Sequence, residues 1–489
     1  MRIITTILTG ASSLALASCA TPVADPAISP QERQVAEGQH EAVVAEFGGA
    51  LGGALGSYVE QVGDSVAVQS ATPNAAAAYR FTTLNAPVEN AFAVPGGRIY
   101  ITRELMGLME DEAELAFVLG HEVGHIAADH SQARQARAQR NSILGVLGAL
   151  AGSVIGGDSG LGNLLAQGAQ QYATLNTLSY SREQEYESDT LGVGYMARAG
   201  YDPLAAASML NSLGRSSALE ARIQGNQNRS TPEWARTHPL SENRTARAVE
   251  LAQQTGRAGT GVRDRDEFLS RIEGIMVDDD PEQGIVDGRT FTHPDLRLQF
   301  QIPTGFQMQN GTRAVTIAGQ SGQAQFSTAQ FNGNLDTYIA NVIRGIVGQQ
   351  AQVSIPQPRT TTVNGLPAAY TTTRVNTQNG AVDLSVMAYR FGNDRAYHFA
   401  MLTQAGQGIG PFSSMVGSLR PISAQEAAAI RPKVIDVVTV RSGDTIQSLA
   451  SRMAFNNYQV ERFMVLNSMD SNSRLTPGQK VKLVVYGQR

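Results

Sequence analysis

Seven residues constrain this chain more than any other stretch: Leu119-Gly120-His121-Glu122-Val123-Gly124-His125. Leu115, Val118, Leu119 and Ile126 recur at helical spacing, and Asp111 with Glu114 three residues on is a capping-box signature, so a helix is predicted to start there and run past His125. Residues four apart on a helix project from one face. His121 and His125 therefore place two neutral imidazoles where a single Zn²⁺ can take both. Glu122 lies at the edge of that face, where a carboxylate can accept the proton of a water that the metal activates. The spacing predicts a zinc hydrolase, and among hydrolases a peptidase.

Two histidines do not complete a site, because a catalytic zinc usually has three protein ligands and one open position. A third histidine in the metzincin register is excluded: Ala128 and Ser131 stand where that pattern needs glycine and histidine. His130, one residue out of register, reads as a surface residue. The third ligand should then be a carboxylate from a second helix. Ser181 with Gln184 caps such a helix, which carries Glu183, Glu185, Glu187 and Asp189. Glu185 and Asp189 share one face, Glu183 and Glu187 a neighbouring one, and spacing alone does not choose between the pairs.

Composition limits the other function classes. The net charge is −5 with 17% charged residues and no long basic run, which excludes a nucleic-acid partner. Cys19 is the single cysteine, so no disulfide can form within the chain. Arg2 followed by the uncharged run Ile3–Ala17 reads as a secretion signal, too short for a convincing membrane span. Leu16-Ala17-Ser18-Cys19 resembles the lipobox of bacterial lipoproteins. That resemblance implies cleavage of residues 1–18, lipid on the Cys19 thiol and, with Ala20 next, anchoring at the outer membrane with the body in the periplasm.

At 489 residues, about 150 per domain suggests about three domains. A Pro- and Ala-rich tether (19–30) precedes a first domain at 31–262. This domain opens with helices, interrupted at Gly48–Gly56, and continues with short strands at Tyr79–Leu84, Glu89–Val94 and Arg98–Ile101 around Pro95-Gly96-Gly97. The uncharged, Gly-rich stretch Asn141–Gly157 is expected to be a mobile flap over the cleft. Asp202-Pro203 opens a further helix, and Ser241, just after His238-Pro239, caps one running to about Gln254. Residues 263–288, with the acidic turn Asp278-Asp279-Asp280-Pro281, read as a linker. Alternating segments with two helices make 289–425 a separate α+β module in which His293 and His398 are isolated and read as structural. Residues 436–486 form a strand–helix–helix–strand unit, complete enough that Val437–Tyr486 is expected to fold alone.

Three segments together carry a family resemblance: His121-Glu-Val-Gly-His125, Arg182-Glu-Gln-Glu185-Tyr-Glu-Ser-Asp189 and Thr237-His238-Pro239. They are similar to the gluzincin family of the CAAX prenyl protease, HtpX and BepA, over roughly Tyr58 to Gln254. The resemblance implies Glu185 as third zinc ligand and Asp189 as an acceptor orienting a zinc histidine. Asn90-Ala-Phe-Ala-Val-Pro-Gly-Gly97 resembles the family's edge strand, which implies that Asn90, Ala91, Phe92 and Ala93 bind a substrate backbone as an added strand. His238 becomes the candidate to stabilise the oxyanion and Arg244 a residue that orients the site. The chain lacks the spanning helices of the membrane members and the tandem helical repeats of BepA. Val440-Arg-Ser-Gly-Asp-Thr-Ile, Leu466-Asn467 and Leu475-Thr-Pro-Gly-Gln-Lys-Val-Lys-Leu483 look like a LysM module, which implies binding to N-acetylglucosamine-containing glycan such as peptidoglycan. The middle module faintly resembles Mog1/PsbP-like folds.

The expected fold is multidomain α+β: a mainly helical zincin peptidase domain with a small edge-strand sheet, an α+β middle module and a C-terminal βααβ LysM-like module. The expected function is a lipid-anchored periplasmic endopeptidase with one zinc per chain, cleaving unfolded or misassembled envelope proteins. The alternative is a chaperone-like or peptidoglycan-binding envelope protein with a latent protease site. The resting enzyme is expected to be weakly active, with the flap over the cleft and His238 closing the open zinc position.

Overall fold

The computed structural model describes residues 28–130, 180–223, 234, 238–239, 242–348, 353–377 and 380–488. Cys19, the Asn141–Gly157 flap and the Ser241 cap lie outside the described residues. Among the described residues no helix is long and apolar enough to cross a membrane.

The first helix, Pro30–Glu46, starts where Ser29 and Glu32 satisfy each other's backbone donors and Pro occupies the first turn. A second, Gly53–Ala67, buries Val59, Val62 and Val66. Next in the chain is a three-stranded sheet of β1 (Arg80–Leu84), β2 (Ala91–Val94) and β3 (Arg98–Thr102) in the order β1-β3-β2. β1 runs parallel to β3 and β2 antiparallel to it, so β2 is an edge strand.

The helix carrying the histidines, Glu112–Ala127, is capped by Asp111, whose side chain accepts from the Glu114 N–H. The reciprocal arm of the box goes elsewhere: the Glu114 carboxylate accepts from Glu110 N–H at 2.8 Å. Leu115, Phe117, Val118 and Leu119 are wholly buried, so this helix runs through the middle of the domain. The helix Arg182–Arg198 crosses it, started by a complete Ser181/Gln184 capping box.

Residues 263–288 do not form a linker. They contain the helix Arg265–Ile272, whose Phe268, Leu269 and Ile272 are fully buried in the same cluster as Leu115 and Phe117, and the strand Met276–Val277. Those apolar positions recur at i, i+1 and i+4, a short amphipathic pattern masked by the charges around it.

Past this point a seven-stranded antiparallel sheet is built from segments between Gln307 and Gln404, with the helix Leu335–Val347 packed on it through Ile339, Ile343 and Ile346. His398 is buried there against the Tyr338 hydroxyl at 2.8 Å, a structural histidine.

The last unit is strand Lys433–Thr439, helices Ile446–Ala450 and Gln459–Leu466, and strand Lys480–Tyr486. Gly443 and Gly478 adopt φ of +90° and +92° at the two turns, a region L-residues rarely enter. This unit does not stand apart. Met276–Val277 adds a third strand to its sheet, and Ile435, Phe463 and Leu483 belong to the same buried cluster as Leu115 and Phe117. Lys482 is fully buried and donates to the carbonyls of Gly107, Leu108 and Met109, with Glu110 at 3.1 Å.

Candidate metal centre and cleft

Two helices build the site, and they meet on glycine. A Cβ placed on Gly192 would lie 2.9 Å from the His121 backbone nitrogen, and Gly120 and Gly124 present their own bare Cα atoms to the second helix. This close approach brings Glu185 and Asp189, on one face of Arg182–Arg198, up to His121 and His125.

His121, His125, Glu185 and His238 are all buried and offer ligand atoms within 4.8 Å of one another. His125 Nε2 is 3.0 Å from His121 Nε2, His238 Nδ1 is 3.2 Å from His121 Nε2, and Glu185 Oε1 is 3.0 Å from His238 Nδ1 and 3.5 Å from His125 Nε2. Donors on a tetrahedral zinc with bonds near 2.05 Å stand about 3.3 Å apart. The converging nitrogens and carboxylate thus have the separations and chemistry of a metal site. Glu122 is fully buried, with its Oε1 3.4 Å from His238 Nε2.

The electrostatics follow from burial and charge. Burial opposes ionisation of Glu185, yet His238, His125 and Arg244 around it hold its carboxyl well below the ordinary value. Burial pushes His125 well below its ordinary pKa, keeping the imidazole neutral. At His121 burial is outweighed by Asp189 and Glu185, leaving its pKa raised. Asp189 Oδ1 sits 3.1 Å from His121 Nδ1, and Arg244 grips both Asp189 oxygens at 2.6 and 2.8 Å while reaching Glu185 Oε2 at 2.7 Å. The spacing-level ambiguity between the carboxylate pairs resolves in space: Glu185 and Asp189 face the histidines.

Asn90 is fully buried at the start of the edge strand, with its backbone tied to Thr102 and neither side-chain amide atom hydrogen-bonded. Ala91, Phe92 and Ala93 pair with Ile101, Tyr100 and Ile99, and among the described residues no strand pairs on their other side. The Trp234 N–H donates to the Glu89 carbonyl at 3.0 Å, and the His238 N–H to the Trp234 carbonyl at 2.7 Å, so the segment bearing His238 is tied to the edge strand's entry. The Trp234 ring stacks on His238 at 4.7 Å.

Three participants escaped the sequence reading. Trp234 and Tyr180 line the site, Tyr180 stacking on His125 at 3.7 Å. His130 is a correction: instead of facing solvent it is 3% exposed, with Nδ1 2.9 Å from His125 Nδ1. Asp129 has a left-handed φ of +52°, which turns His130 back under the helix. Glycine or asparagine is the usual signal for that turn, and neither is present.

Residues 55–252 match the family described as Peptidase family M48, and residues 438–484 match the LysM domain. The chain is 32% identical over 182 residues to the beta-barrel assembly-enhancing protease of Yersinia pestis, covering 36% of this chain and 35% of that protein. It is 29% identical over 177 residues to the protein of the same name from Escherichia coli strain K12, again covering 36% and 35%. It is also 33% identical over 132 residues to the mitochondrial metalloendopeptidase OMA1 of Arabidopsis thaliana, covering 27% and 25%. The chain thus spans about a third of the length of the bacterial relatives it matches. The solution structure of cyanobacterial PsbP from Synechocystis covers 28% of the chain at 9% identity with a TM-score of 0.22.

Proposed function

Because the chain carries a peptidase family M48 domain and a LysM domain, we propose that it is a zinc metalloendopeptidase of the bacterial cell envelope, cleaving unfolded or misassembled envelope proteins. The observation that carries this reading is the buried convergence of His121, His125 and Glu185 with Glu122 beside them. Two imidazoles and a carboxylate suit Zn²⁺, one per chain.

When bound, zinc would polarise the scissile carbonyl and acidify the attacking water. Glu122 takes that water's proton and delivers it to the leaving nitrogen. Asp189 accepts from His121 Nδ1–H and fixes the tautomer that turns Nε2 toward the metal, while Arg244 holds Asp189 and Glu185 in place. Asn90, Ala91, Phe92 and Ala93 offer an edge for an extended substrate, which selects unfolded segments over folded ones. The names of the bacterial relatives support an envelope setting. In that setting Cys19 carries the lipid that holds the body in the periplasm at the outer membrane, and the LysM unit contacts peptidoglycan.

A latent state is the second reading, favoured by the position of His238. Its Nδ1 lies among the donor atoms, where it would fill the coordination position that catalysis needs open. Once withdrawn, the same ring can donate to the developing oxyanion.

The test is digestion of casein and of an unfolded outer-membrane protein by wild type and Glu122→Gln, with zinc content measured for both. Glu122→Gln should keep its zinc and lose at least about 100-fold in rate. Equal cleavage by both proteins would reject the assignment. His238→Ala separates the two roles of that residue: a latch predicts faster cleavage, an oxyanion donor slower cleavage.

A further inference from the structure

The two metal-site histidines are supported differently on their far sides. His121 meets a carboxylate directly, Asp189. His125 turns Nε2 to the cluster, and its Nδ1 lies 2.9 Å from a nitrogen of another imidazole, His130 Nδ1. His130 Nε2 in turn lies 3.2 Å from Glu187 Oε2. Two ring nitrogens at 2.9 Å attract only if one carries hydrogen and the other a lone pair.

The requirement that His125 present the Nε2 lone pair to a cation settles every proton in this row. The neutral His125 ring then carries its hydrogen on Nδ1 and donates it to the His130 Nδ1 lone pair. His130 must carry its own hydrogen on Nε2, which points at the Glu187 carboxylate. No atom is left with a clashing partner. We propose that His130 and Glu187 are positioning residues: the pair fixes the tautomer and ring orientation of His125 and, through the terminal carboxylate, raises its donor strength toward the metal. The inference rests on the metal-site reading above.

The fold holds His130 for this task. The left-handed Asp129 folds it beneath the histidine helix. One stripe of the second helix then surrounds it: Gln184 Nε2 donates to its carbonyl at 3.3 Å, Ser188 Oγ is 3.4 Å from Nδ1, and Glu187 completes the i, i+3, i+4 set. Glu185 and Asp189 on the adjacent face serve the metal cluster directly. One helix thus supplies a ligand and the supports of both histidines.

The experiment measures the Zn²⁺ dissociation constant of the full chain by competition with a chromophoric chelator, which needs no catalysis. His130→Leu fills the space without an acceptor and should weaken zinc binding about 10- to 100-fold, the usual cost of losing such a support. His130→Asn offers an amide oxygen to His125 Nδ1–H and should recover most of that loss. Glu187→Ala should lose affinity in the same direction by a smaller factor. Its side chain is 62% exposed, so this variant folds and keeps the test decisive if the leucine variant does not. Wild-type affinity in a folded His130→Leu, or an asparagine variant no better than leucine, would overturn the role of His130. An unchanged Glu187→Ala would overturn the role of the carboxylate. A wild type that takes up no metal overturns the site and the relay together, whereas a wild type that binds and variants that match it overturn the relay alone.

Discussion

Glu89 shows how one carboxyl at the domain junction shapes stability. It precedes the edge strand and accepts from the Ser216 hydroxyl at 2.6 Å. Burial, with Glu220 adding a smaller push, raises its pKa to about 7 against the Ser216 hydrogen bond. In the unfolded chain the group titrates near the ordinary 4.5. Between those values the folded protein holds a proton that the unfolded chain has released, so stability falls as pH rises from about 4.5 to about 7. Glu89→Gln, a neutral isostere, should therefore have a flatter Tm profile over that range and exceed wild type at pH 8. Parallel Tm profiles for the two proteins would reject the shift. The convergence of His121 and His125 was legible in the sequence because histidines four apart in a capped apolar helix share one face. The choice of Glu185 over Glu183 or Glu187 needed the family pattern, since helical spacing is blind to which stripe faces inward. His130 was not legible, because its burial depends on one left-handed backbone angle at Asp129.

Among elements, the crossing of the two metal-site helices is the sensitive one. At Gly192 any Cβ meets the His121 backbone 2.9 Å away, and backbone cannot swing aside as a long side chain can. Gly192→Val should push the helices apart and move Glu185 and Asp189 from the histidines together. The expected outcome is a loss of about 1–3 kcal/mol in unfolding free energy from overpacking, with weakened zinc binding at temperatures where the fold persists. A valine variant with wild-type zinc affinity would mean that the crossing tolerates separation. Helix starts were well read from Ser181/Gln184 and Asp202-Pro203, because caps are local chemistry. The helix Arg265–Ile272 was missed, since eight residues with several charges give little periodicity, and only tertiary burial of Phe268, Leu269 and Ile272 makes it a core element.

At the scale of the molecule, the C-terminal unit that matches the LysM domain and the domain that matches Peptidase family M48 share one core rather than lying in series. The Lys482 ammonium satisfies carbonyls at the end of the helix Arg103–Leu108, and burial lowers its pKa while Glu110 raises it. Lys482→Met would leave those carbonyls without a donor and Glu110 with Arg265 as its remaining cation at 2.7 Å, and should cost about 1–3 kcal/mol. It should also move a single cooperative unfolding transition to lower denaturant. Two separate transitions in the wild type would show instead that the unit is an independent bead. Sequence alternation could not reveal this docking: Lys480 and Lys482 look alike in Lys-Val-Lys, and only the second is buried.

The shared core also orders the protein's maturation in time. The chain is made from its N-terminus, and Lys482 lies 375 positions after Gly107, whose carbonyl it binds. While the nascent polypeptide emerges, the histidine helix therefore exists long before the strand that closes the core beneath it. A prematurely terminated product carries His121, His125 and Glu185 yet lacks the C-terminal residues, such as Phe463 and Leu483, that pack into the shared core. For the endopeptidase proposed above, the topology would postpone competence until the strand Lys480–Tyr486 has been made, a safeguard for neighbouring chains that have not yet folded.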